Sequence, residues 1–195
     1  YRHGEIKMRG IETRRRDTPA FVKHMQAAML RLLEDVRNAD EVPERLPAML
    51  EVVREHVALL RSGRANPMDL VLRRHLSREA DEYTTNTVSA VVSKMLQETG
   101  IRVAAGEMVE FIILDRTGKR KPEKAKPLAL YAFEDGYDIE QYTEFALKAA
   151  ETLLAPLGWD FERLKADLVG TKKKAEKREK AILQTSLWGE TFQTS

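Results

Sequence analysis

The chain has 195 residues, 43% of them hydrophobic and 33% charged, with a formal net charge of +2. That length suits one domain or one domain with an appendage, and that composition suits a helix-rich protein with a real but modest core. The absence of cysteine excludes disulfides, thiolate catalysis and cysteine-based zinc sites. No run approaches the roughly 18 apolar residues of a membrane-spanning helix.

The charge is segregated. Residues 1–24 carry seven Lys/Arg against three acids, residues 116–126 six against one, and residues 171–180 six against two, whereas residues 134–151 carry six acids against one Lys. Such a pattern turns one face toward a polyanion and another toward water, although lysine runs also serve as plain solvated loops. The opening YRHGEIKMRG is polar and basic, with neither an initiator Met nor a signal-peptide pattern. The chain is therefore expected to be part of a longer one, working in a reducing cytoplasm.

A short strand is expected over 4–9. Asp17 or Thr18 suits a helix N-cap and Pro19 the first turn. From there Phe21, Met25, Met29, Leu32, Leu33 and Val36 repeat at helical spacing to about Asn38. A second helix is expected over 44–61, with Leu46, Leu50, Val53, Val57 and Leu60 on one face and Gly63 past its end, forming an antiparallel hairpin with the first. Asn66-Pro67 is a break. LVLRRHLS reads as extended, and a third helix runs from about Thr85 to Glu98, stopped by Gly100. VEFIILD reads as a strand whose partner is PLALYAF, across the basic loop. A fourth helix spans Ile139 to Leu154 and a fifth Trp159 to Leu168. After Gly170 the hydrophobic pattern stops. The fold class is mainly α with a small β-sheet.

No catalytic constellation is visible. His3, His24, His56 and His75 lack metal-ligand spacing, no phosphate-binding glycine motif occurs, and the serines lack a nucleophile-elbow context. Asp115, at a strand end, stands alone where two-metal chemistry would need neighbouring acids. These residues describe a binding module. Two clusters suit phosphate. Arg14, Arg15 and Arg16 precede a helix N-terminus, where guanidinium forks and free N–H groups coincide. Arg73, Arg74, Ser77 and Arg78 are followed by Thr84, Ser89 and Lys94, short hydroxyls and cations of the kind that track a nucleic-acid backbone without reading sequence.

The order of these motifs resembles the end of family B DNA polymerases. KMRGIETRRRDTPAFVKHMQ looks like the passage from palm to thumb, close to RGLExxRRD. LVLRRHLSREADEYTTNTVSAVVSKML resembles the thumb's strand, Ser/Thr-Arg pair, Glu-Tyr pair and Ala/Val-rich helix, here Leu70-Val71, Ser77-Arg78 and Glu82-Tyr83. IRVAAGEMVEFIILD resembles the family's basic turn into a strand, and YDIEQYTEFALKAAETLLAPLGW its YDxxYYxxxxLxPAxxRIL helix. The likeness covers about residues 4–168. Glu79 stands where the family has Pro, Ser89 where it has His, and Asp40–Arg64 match loosely.

The resemblance implies a connection over 1–17, a thumb subdomain over 18–169 and a flexible basic tail over 170–195. It implies a grip on primer–template duplex by Arg14 to Arg16 and by Arg73, Arg74, Ser77 and Arg78. The catalytic palm, with its Mg2+, would lie on other polymerase domains, so the chain itself would hold no cofactor and no catalytic residue. It would act at the nucleoid and at no membrane. Gln184-Thr185-Ser186-Leu187-Trp188 resembles the Q-x-S/D-L-F peptide with which such polymerases bind a bacterial sliding clamp, Trp standing for Phe. The eukaryotic and archaeal form Q-x-x-L-x-x-F-F fits less well, because Glu190 and Thr191 occupy its aromatic positions. The alternatives are the small subunit of a split polymerase, a stand-alone nucleic-acid-binding or adaptor module, and an enzyme in its own right.

Overall fold

The computed structural model describes residues 17–83, 87–119 and 123–170. The expected strand over 4–9, the arginines 14–16, Thr84 and the peptide at 184–188 lie outside them. Helix α1 spans Ala20–Arg31, α2 Leu46–Arg61, α3 Val88–Glu98, α4 Ile139–Leu154 and α5 Phe161–Leu164. Strands β1 (Leu72–His75), β2 (Met108–Ile113) and β3 (Ala125–Pro127) form one antiparallel sheet in the order β1-β2-β3. The architecture is α+β and mostly helical. Among the described residues no helix is long and apolar enough to cross a membrane.

α4 has the bounds its pattern implies. Asp138 caps it by accepting from the Gln141 amide at 3.0 Å, and Tyr142, Ala146, Leu147, Ala149, Ala150 and Leu154 form its buried stripe. It packs on α2, which buries Met49, Leu50, Val53, Val57 and Leu60. α1 closes the trio through Phe21, Val22, Met25 and Met29. Gln26, wholly buried, ties it to α4 by donating to the Ala149 carbonyl at 2.8 Å and to Thr152 Oγ1 at 3.0 Å. The sheet joins this core through Tyr142, whose phenol oxygen accepts from the Ile113 amide at 3.0 Å.

Several expected boundaries shift. α1 starts after Pro19, with no side-chain cap, and stops at Arg31 rather than near Asn38. A separate 3-10 helix, Ala39–Arg45, follows it. Glu41 accepts from the Arg37 amide and from Asn38 Nδ2, which fixes a turn where the periodicity alone continues the helix. α2 accordingly begins at Leu46, and Gly63 with φ +71 ends its last turn. α3 starts at Val88, because Thr87 caps it through its hydroxyl. Of PLALYAF only Pro127 pairs with β2, opposite Phe111. β3 covers only Ala125–Pro127, since Pro127 lacks an N–H for the ladder and Leu128–Leu130 turn into a 3-10 helix. The expected fifth helix is α5 followed by a π-helix, Lys165–Val169, with Asp160 as its cap.

Candidate nucleic-acid interface

The arginine-bearing strand is the sheet's outer edge. β1 pairs antiparallel with β2 in the register Leu72↔Phe111, Arg73↔Glu110, Arg74↔Val109 and His75↔Met108. Pairing continues past the strand, with the Leu76 amide donating to Glu107 O at 2.9 Å and Gly106 N donating to Leu76 O at 2.7 Å. Gly106 has φ +88, a conformation that side chains resist, so glycine makes this turn. His75 Nδ1 lies 2.9 Å from the Gly106 carbonyl and locks the same corner.

Alternation along β1 separates residues that are adjacent in sequence. Leu72 and Leu76 are buried, and Arg74 belongs to their row, opposite the buried Val109. Arg73 and His75 belong to the other row, with Glu110 and Met108. Arg73 Nε donates to Glu110 Oε1 at 2.6 Å between two substantially exposed side chains. Such a pair contributes at most about 1 kcal/mol to stability, yet it orients the guanidinium and offsets its charge. Arg74, Ser77 and Arg78 are exposed. Among the described residues neither Arg74 nor Arg78 makes a side-chain hydrogen bond or ion pair.

Ser89 and Lys94 do not join one surface. They stand five residues apart on α3, roughly 140° around the helix. Ser89 is half-buried on the side of Val92, Ser93 and Leu96, while Lys94 is exposed. Tyr83 is half-buried, and its phenol oxygen has no partner among the described residues.

The basic run 116–126 is partly committed to the fold. The Arg116 amide donates to Asp138 Oδ2 at 2.8 Å and its guanidinium to Gln141 Oε1 at 2.5 Å. Lys126 Nζ lies 2.9 Å from both Asp135 carboxylate oxygens, and that hydrogen bond raises its pKa. Asp115, wholly buried, accepts from the Thr117 amide and hydroxyl and so shapes a turn. Among the described residues no group of acids or histidines could hold a metal ion. Glu110, the partner of Arg73, is the residue that sequence reasoning missed. Its signal is the β1–β2 register, which no local pattern carries.

The family model described as DNA polymerase family B matches residues 1–157. DNA polymerase 1 of Sulfolobus acidocaldarius is 26% identical over 163 residues, covering 82% of this chain and 18% of that protein. The DNA polymerase of Thermococcus hydrothermalis is 29% identical over 164 residues, covering 83% of this chain and 9% of that protein. The structure of the family B DNA polymerase from Pyrobaculum calidifontis superposes with a TM-score of 0.54 at 26% identity, covering 69% of this chain and 17% of that one. The chain thus spans less than a fifth of the length of each of these relatives. With its first 157 residues matched as one family segment, the chain belongs to DNA polymerase family B.

Proposed function

We propose that this chain is the thumb region of a family B DNA polymerase, gripping primer–template duplex behind the active site. The observation that carries the reading is the exposed edge strand β1 of a family B chain, which with the residues after it presents Arg74, Ser77 and Arg78, with Arg73 braced by Glu110. Arginines on an exposed strand suit phosphate oxygens and carry no base code, so binding is independent of sequence and falls with salt. Lys94, exposed on α3, and Arg14, Arg15, Arg16 and Thr84, which lie outside the described residues, are the further DNA contacts of this reading. Ser89 is the weakest member, because it leans into the packing of α3.

On this reading residues 1–17 connect to the palm, 18–169 are the thumb and 170–195 form a tail whose Gln184, Ser186, Leu187 and Trp188 bind a sliding clamp. The remaining polymerase domains supply the catalytic aspartates and the Mg2+. The protein acts at the nucleoid, on double-stranded primer–template DNA. The test is anisotropy of two labelled duplexes of equal length and unrelated sequence, alongside a primer-extension assay of the chain alone. Equal, salt-sensitive binding without extension is expected. Extension by the chain alone, or affinity indifferent to salt, overturns the reading.

A further inference from the structure

His75 closes β1 at the open edge of the sheet, and its two ring nitrogens are not equivalent. Nδ1 lies 2.9 Å from the Gly106 carbonyl. A carbonyl oxygen only accepts, so Nδ1 carries a proton in this contact, whether the ring is neutral or charged. Nε2 is then a bare lone pair in the neutral ring and an N–H in the imidazolium. Among the described residues Nε2 has no partner. The corner that fixes this orientation is a G1 bulge. Gly106, at φ +88, and Glu107 together oppose Leu76, Gly106 N donating to Leu76 O and the Leu76 amide to Glu107 O. Bulges of this kind re-aim side chains at sheet edges and beside functional sites.

The surroundings of the ring are open and close to neutral. Alternation puts His75 in the row of Arg73, Glu110 and Met108. His75 is exposed, and Met108, directly opposite, is 52% exposed. Arg73, two residues back, and Glu110, diagonal on β2, already meet at 2.6 Å and offset each other. Glu107, in the turn, directs its carboxylate to the Ala104 amide at 3.0 Å. Arg74 and Arg78, along the chain on either side, add positive charge. Leu76 exchanges both of its backbone bonds with the β2 side. Antiparallel alternation therefore turns the His75 amide to the open edge, as a second donor beside the ring.

We infer that His75 is a protonation-gated phosphate contact of the duplex. The imidazolium donates Nε2–H to a phosphate oxygen, whereas the neutral ring presents a lone pair to that oxygen and makes no bond. The inference rests on the reading that the duplex lies along β1, and it adds a regulated contact to the fixed charges of the arginines. Histidine changes charge between about pH 5 and about pH 8, a range in which phosphodiesters and guanidinium groups keep theirs. Binding then takes up a proton, so affinity is highest at the acid end and declines as pH rises.

The test is anisotropy of one labelled duplex at about pH 5.5 and about pH 8, with the unaltered chain, His75→Asn and His75→Lys. Asn keeps a donor for the Gly106 carbonyl and has no atom in the place of Nε2, while Lys is charged at both pH values. The unaltered chain is expected to bind about tenfold more tightly at the lower pH, as for one charge-assisted hydrogen bond. Its salt slope there should be steeper by about 0.9. His75→Asn should lose both responses, and His75→Lys should hold the tight, steep binding at both pH values. A pH response that persists in His75→Asn overturns the inference by assigning the proton to another group, such as His24. Equal binding by the unaltered chain at both pH values overturns it as well. In either case salt-dependent binding leaves the thumb reading standing. Binding indifferent to salt at both pH values overturns that reading and this inference together.

Discussion

The double substitution Arg74→Ala/Arg78→Ala tests the interface most directly. Both side chains are exposed and, among the described residues, uncommitted, so their loss should leave the fold alone. Each arginine that neutralises a phosphate contributes about 0.9 to the slope of log affinity against log salt. The double variant should therefore flatten that slope by about 1.8. Between about 50 and about 200 mM salt, the advantage of the unaltered chain then shrinks roughly twelvefold. Arg73→Ala should change the slope less, because Glu110 already offsets that charge. Glu110→Gln frees Arg73 and should steepen the slope by up to about 0.9. Anisotropy titrations of one labelled duplex at several salt concentrations give all four slopes. An unchanged slope in the double variant refutes the placement of this edge strand on the duplex. Flattening in Glu110→Gln refutes the account of Arg73.

Further outcomes attach to Tyr142, Asp138 and the pair Leu187 and Trp188. Replacing Tyr142 by Phe removes the acceptor of the buried Ile113 amide and should cost about 1–3 kcal/mol, seen as a lowered Tm. Burial pushes the Tyr142 hydroxyl above its ordinary 10.0, so its stabilisation is whole below that pH and declines above it, as the unfolded phenol ionises first. The unaltered chain should accordingly lose roughly 1.4 kcal/mol more than Tyr142→Phe one pH unit higher, measured by urea melts. Replacing Asp138 by Ala removes the cap of α4 and the acceptor of the Arg116 amide, with an expected loss of about 1–3 kcal/mol in the same melts. Leu187→Ala/Trp188→Ala should abolish capture by a purified sliding clamp while moving Tm little; a steep fall in Tm would place the tail in the core instead.

What the sequence settled by itself is what local periodicity encodes. α4 has both of the ends read from its periodicity, Ile139 and Leu154. The lower part of α2, the extended run at Leu72–His75 and the stop at Gly100 are as plain, because each depends on neighbours within a turn or a strand pair. The family motifs are legible for the same reason, as ordered short strings.

Pairing and register belong to the tertiary structure. Nothing near Arg73 says that Glu110, thirty-seven residues on, will face it, since that depends on which strand docks and on the turn at Gly106. The same pleat splits Arg73 from Arg74, which a string presents as one cluster. The fold likewise makes Arg116, Lys126 and Asp115 structural partners of Asp138, Asp135 and Thr117. A helical pattern also runs on through Leu32 and Leu33, yet α1 stops at Arg31, short turns follow, and Glu41 holds Arg37 and Asn38. The register of β1 on β2 and the tie between Arg116 and Asp138 rest on groups meeting across the fold, where the free energy of burial and pairing outweighs local preference.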